Sequence, residues 1–188
     1  MPLIGKELCL SPVDLLTPEF QVAGRKQGLT WWALYTRSRQ EKELMRRLAA
    51  KKAAFYSPIA PHRYRSPAGR MRTSYLPLFT NYVFLFGEEP QRYDAVASGC
   101  VSRCIDVKNG VELTEDLRRI EKLIGVGLPV TAESRIEPGT PVRIKSGSMM
   151  GVEGVVFKRH GHSRLLVVVN FLQRGASIEL PDWEVEPL

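Results

Sequence analysis

The chain has 188 residues, 44% hydrophobic and 25% charged, a globular composition with room for one large or two small cores. No apolar run is long enough to span a bilayer. MPLIGKELCLSPVDLL lacks the charged and apolar regions of a signal peptide, and Cys9, Cys100 and Cys104 follow no disulfide-framework spacing, so a cytoplasmic protein without membrane contact is expected. The net charge is +7, and the excess sits in residues 31–80, where eleven Lys/Arg meet two Asp/Glu. Such a block describes a solvated face or, when focused, a surface for a polyanion.

Residues 1–28 hold Pro2, Pro12 and Pro18 and no clear periodicity, so they read as a partly disordered N-terminal extension. WWALYTR (31–37) is dense in aromatic and apolar residues and predicts a buried strand. In SRQEKELMRRLAAKK (38–52), Ser38 and Glu41 have capping-box spacing, and Leu44, Met45 and Leu48 recur at helical spacing opposite a basic face. Residues 54–86 predict two strands joined by a protruding hairpin with Pro67, Ala68 and Gly69 at its tip. Its arms carry Arg63, Arg65, Arg70 and Arg72, with no acid between Pro61 and Tyr75. YVFLF (82–86) reads as a central strand, and residues 90–100 as a helix ending at Gly99. Thr114 caps a second helix with Leu117, Ile120, Leu123 and Ile124 on its apolar stripe. This order predicts an antiparallel sheet backed by helices on one face, an α+β domain over residues 29–124. Residues 125–136 read as a linker. Residues 137–188 hold five short β-rich stretches, the pattern of a small barrel.

EPGTPVRIKSGSMMGVEGVV (137–156) looks like a KOW motif: Pro-Gly, an alternating apolar–basic strand, a Gly turn, then Gly and two valines. Gly147 and Gly151 suit positive φ in a tight turn, and Gly154 suits close approach of two strands. WWALYTRSRQEKELMRRL and SYLPLFTNYVFLF resemble the N-terminal domain of the NusG family, and VVVNFLQRGASIELPDWEVEPL is similar to the family's C-terminal barrel end. The resemblance covers residues 31–188. It implies an α+β N-terminal domain (antiparallel sheet with helices) plus a small SH3-like five-stranded β-barrel, the KOW domain. It also implies a monomeric transcription elongation or antitermination factor that is not an enzyme and needs no cofactor. Trp32, Phe79 and Tyr82 fall where the family presents aromatics to the clamp helices of the largest subunit of RNA polymerase. Phe171, Leu172 and Arg174 fall on the loop that contacts the termination factor Rho or a small-subunit ribosomal protein. Arg37, Arg39, Arg63, Arg65, Arg70 and Arg72, with Arg46 and Arg47, are candidates for phosphate contact with DNA near the transcription bubble. The family's Phe-Pro-Gly-Tyr run stands here as Phe79-Thr80-Asn81-Tyr82. Its Asn resembles specialised, RfaH-like paralogs.

Two other classes are weaker. A KOW-type RNA-binding or ribosome-assembly protein would place positive charge on the barrel, but residues 137–188 hold six basic and six acidic residues. An enzyme would need partners for His62, His160 or His162, and the spacing supplies no acid–base partner or nucleophile elbow. Cys100 and Cys104 with the histidine pair do not make a zinc spacing, so no catalytic or metal residue is assigned.

Overall fold

The computed structural model describes residues 7–134, 139–180 and 185–188. The chain divides into two units, Met1–Gly110 and Val111–Leu188. In the first unit the elements in order are β1 (Leu10–Ser11), α1 (Pro18–Lys26), β2 (Thr30–Thr36), α2 (Glu41–Ala50), β3 (Ala54–Tyr56), β4 (Ile59–Arg65), β5 (Met71–Pro77), β6 (Tyr82–Gly87), α3 (Glu89–Ala97) and β7 (Val101–Asp106). Five of the strands form an antiparallel sheet in the order β1-β3-β6-β2-β7, while β4 and β5 pair only with each other, as a separate ribbon. The aromatic, apolar strands β2 and β6 are central, as expected for side chains buried on both sheet faces.

Strand alternation sorts the side chains of this sheet. Trp32 pairs with Leu85 across the ladder. Both pack with Leu34, Phe55 and Val83 against Leu44, Met45 and Leu48 of α2 and Ala95 of α3. Each fully buried leucine here contributes about 1.5–3 kcal/mol. On the opposite face Trp31 pairs with Phe86, their ring centroids 5.1 Å apart, and Phe20 of α1 lies 6.3 Å from Phe86. Helices therefore cover both faces, not one.

The difference traces to residues 7–28, expected to be an extension. Thr17 caps α1 by accepting a hydrogen bond from the Phe20 N–H at 3.3 Å, and Pro18 stands at the first helical position, where its missing N–H costs nothing. Gln21 of α1 is buried, donating to the Leu15 carbonyl at 2.8 Å and accepting from the Trp31 indole at 3.1 Å. β1 adds to the sheet beside β3. The proline content hid a helix that proline can start.

The second unit contains α4 (Gly110–Gly125) beyond its first residue, then β8 (Thr131–Glu133), β9 (Thr140–Ile144), β10 (Glu153–Arg159), β11 (His162–Val169), a 3₁₀ turn (Asn170–Leu172), β12 (Arg174–Glu179) and β13 (Val185–Pro187). The strands form one antiparallel sheet in the order β13-β9-β10-β11-β12-β8. The five expected strands are present, and β8, inside the stretch read as linker, adds a sixth by pairing with β12. α4 starts a turn before Thr114, which is buried in the helix and does not cap it. Gly147 and Gly151 hold φ of 81° and 80° in the β9–β10 turn. A Cβ on Gly154 would stand 2.6 Å from the Leu166 carbonyl oxygen, so the β10–β11 approach requires glycine. Residues 135–138 and 181–184, which include the expected linker boundary and part of the last strand, lie outside the described residues.

Candidate interaction surfaces

The sequence Phe79-Thr80-Asn81-Tyr82 makes the turn into β6. Asn81 sits at φ 69°, the left-handed region that glycine and asparagine reach most easily. Asparagine therefore occupies a position with a glycine-type backbone conformation. Three bonds hold it. Its N–H donates to the Glu41 carboxylate at 2.8 Å, its side-chain amide donates to the Tyr35 hydroxyl at 3.2 Å, and its carbonyl accepts from the Thr36 N–H at 2.8 Å. The capping box expected between Ser38 and Glu41 does not form: α2 begins at Glu41 after Gln40, which makes no side-chain cap. The Glu41 carboxylate turns inward to the β6 turn instead, and is buried there.

This turn fixes Tyr82, half-buried at the start of β6. Its ring meets Tyr35 edge-on at 5.1 Å and stacks near-parallel to Phe84 at 6.4 Å. Tyr35 pairs with Tyr82 across the ladder, so the two share one sheet face. Trp32 lies three residues before Tyr35 and faces the opposite side, against the α2–α3 core. The Arg92 guanidinium stands 5.1 Å from its ring centre, and the buried indole N–H lacks a hydrogen-bond partner among the described residues. Phe79 was expected on an exposed aromatic surface, yet it is 2% exposed, because the turn folds its ring into the interior. Of the three expected surface aromatics, only Tyr82 combines partial exposure with a neighbouring aromatic on its face. Tyr35 was missed. The period of two in WWALYTR would have separated Trp32 and Leu34 from Trp31, Ala33 and Tyr35.

The β4–β5 ribbon carries the basic candidates. Its ladder runs from Ile59 opposite Pro77 to Arg65 opposite Met71. At the tip, Gly69 holds φ 75° and donates its N–H to the Ser66 carbonyl at 2.8 Å. Arg63, Arg65, Arg70 and Arg72 are exposed, as are Arg37 and Arg39 in the β2–α2 connection. Among the described residues none of these six forms an ion pair. Arg46 and Arg47 differ: Arg46 pairs with Glu7 and Glu43, and Arg47 with Glu43. The hydrogen bonds from the arginines lower the pKa of both acids from the ordinary carboxylate value. These two arginines are thus the least available of the basic set.

In the second unit Phe171 and Leu172 are half-buried on the 3₁₀ turn between β11 and β12, and Arg174 is exposed at the first position of β12. The Asp116 carboxylate of α4 accepts from the Asn170 N–H at 2.8 Å and from Arg119 at 3.2 Å. Burial pushes this carboxyl above its ordinary pKa, against the lowering effects of those two donors. His162, read as having no acidic partner, lies 3.0 Å from Glu179, because the β11–β12 pairing brings the two together. Both are exposed. No group of three or more His, Cys, Asp or Glu side chains among the described residues could hold a metal ion. No helix among them is long and apolar enough to cross a membrane.

A family model described as transcription termination factor nusG matches residues 29–125. No curated protein matches the chain. Among solved structures, a chain from the crystal structure of the MjSpt4:Spt5 complex in conformation B is 12% identical. The alignment covers 84% of this chain and 97% of that one with a TM-score of 0.29, which does not establish a common arrangement.

Proposed function

The chain belongs to the NusG family, and from that premise we propose that it is a specialised, RfaH-like transcription elongation and antitermination factor acting in the cytoplasm as a monomer. The observation that carries the reading is the half-buried Tyr35–Tyr82 pair on one sheet face, backed by the buried Phe84 ring, in a unit that also projects arginines without an ion pair among the described residues. Aromatic side chains bury much area with little rotamer entropy lost, which suits docking on the clamp helices of the largest polymerase subunit. Tyr82, with Tyr35 beside it, is the contact residue. Phe79 supports the turn from inside, and Trp32 belongs to the core on the other face. The arginines at 37, 39, 63, 65, 70 and 72 hold DNA phosphates near the bubble. A factor that binds the elongating polymerase more tightly than the paused one shifts the population toward elongation. The mechanism involves no bond chemistry and no cofactor. Residues 137–188, read as the SH3-like KOW barrel, offer Phe171, Leu172 and Arg174 to Rho or a small-subunit ribosomal protein.

The test is capture of RNA polymerase by the tagged full-length chain. Tyr82→Ala should lose capture by at least tenfold while keeping its thermal midpoint within a few degrees. Capture at the original level would sink the assignment of this face. Loss of the folding transition would show that Tyr82 is a core residue.

A further inference from the structure

The second unit carries a polar cavity of about 320 Å³, lined by Thr131, Arg159, His160, His162, Arg164 and Glu179. That volume lies at the lower end of the range for small-molecule sites. Arg164 is its most firmly held member. Its Nε donates to the Ser177 hydroxyl at 2.9 Å, and its Nη2 donates to the Thr131 hydroxyl at 2.9 Å and the Ser177 carbonyl at 3.1 Å. All three acceptors are neutral, so the guanidinium is fixed without being neutralised. Its Nη1 has no partner among the described residues. The nearby carboxylates are matched elsewhere. Glu133 is buried and accepts from Arg159 at 3.2 Å and from the Ser177 hydroxyl at 2.6 Å. Glu179, on the cavity wall, lies 3.0 Å from Nδ1 of His162. His160 is exposed at φ 52° and has no partner among the described residues.

We propose that this cavity binds a phosphoryl group, either inorganic phosphate or the terminal phosphate of a small nucleotide. A guanidinium already clamped by neutral acceptors loses little freedom on meeting an anion, and its planar fork suits phosphate oxygens. Around it stand two histidines, a second arginine and a threonine hydroxyl, all able to donate. A phosphoryl group offers three strong acceptor oxygens to such a ring of donors, where a carboxylate offers two. The six basic and six acidic residues of 137–188 argue against a surface for a long polyanion, but a single phosphoryl group needs only a local charge. β8 completes the site. Thr131 and Glu133 reach Arg164 and Arg159 because β8 pairs with β12.

The test is a chemical-shift titration of the isotope-labelled full chain at neutral pH and constant ionic strength, with inorganic phosphate, AMP, adenosine and dimethyl phosphate. Phosphate and AMP should give saturable shifts centred on residues 159–164, and the other two probes none. Tighter binding of AMP than of phosphate identifies a nucleotide as the source of the group, and equal binding identifies free phosphate. Arg164→Gln should weaken binding by about tenfold. His160→Ala, which breaks no bond among the described residues, should weaken it by about threefold. Lys158→Gln removes a like charge from the other face of β10 and should change nothing. If Arg164→Gln fails to fold, Arg164→Lys keeps the charge without the fork and should still bind more weakly. Shifts that never saturate, or an equal loss from Lys158→Gln, would reduce the site to general charge attraction and overturn it. Undiminished affinity in both His160→Ala and Arg164→Lys overturns it as well. Adenosine or dimethyl phosphate binding as tightly as AMP overturns the choice of a phosphoryl group.

Discussion

Asn81 does two jobs that can be measured apart. Its backbone occupies the left-handed region, and its side chain donates to Tyr35. An L-residue without a locally bonding side chain holds that backbone at a cost of roughly 1–2 kcal/mol. Asn81→Ala should therefore lower stability by about 2 kcal/mol, combining strain with the lost hydrogen bond. Asn81→Gly should lower it by about 1 kcal/mol or less, because glycine removes the strain and loses only the bond. Urea midpoints of the two variants check the order, and an equal loss in both would mean that the backbone is not strained. At this scale the sequence was only partly informative. It marked Thr80 and Asn81 as departures from the family's run, but a dihedral and a bond from Glu41, forty residues away, do not show in local spacing.

Among the elements, α4 has the most unusual side chain, Asp116, 1% exposed on the helix and bonded to the 3₁₀ turn after β11. Because burial raises its folded pKa above the unfolded value, the folded state holds the proton more tightly. This group's contribution to stability is thus full below the unfolded pKa and is lost as pH rises through the folded pKa. Asp116→Asn should abolish that decline and be at least as stable as the parent at neutral pH. Asp116→Ala leaves the Asn170 N–H without its acceptor and should lose about 1–3 kcal/mol. Thermal melts from pH 3 to 7 distinguish the two outcomes. A parent whose stability instead rises across that window through this residue would contradict the sign. The apolar stripe Leu117, Ile120 and Leu123 made the helix legible from periodicity, and the valines of β11 made the strands legible from β-branching. β8 was not legible, because TAE has no strand texture of its own and forms only by pairing with β12. The placement of the aromatics was hidden for a related reason. Type and family position identified Trp32, Phe79 and Tyr82, but which face each ring takes depends on cross-strand register, which separates Trp32 from Tyr82.

For the whole molecule the charge distribution decides. An excess confined to residues 31–80 acts as a local patch whose pull on a polyanion falls with ionic strength. Arg70→Ala with Arg72→Ala should weaken binding to an elongation complex and flatten its log–log salt dependence by about 0.7–0.9 per phosphate contact removed. Affinity titrations from low to high potassium chloride give the slope, and an unaltered slope would take DNA out of the model. The ribbon that carries this patch pairs with no strand of the main sheet. Its length is therefore free to vary while the domain beneath stays as it is. That freedom has a parity. Adding one residue to each arm near the base lengthens the reach but turns the distal side chains, Arg63 and Arg65 among them, to the opposite face, whereas adding two to each arm restores their aspect. Lengthening that preserves the function must come in even steps.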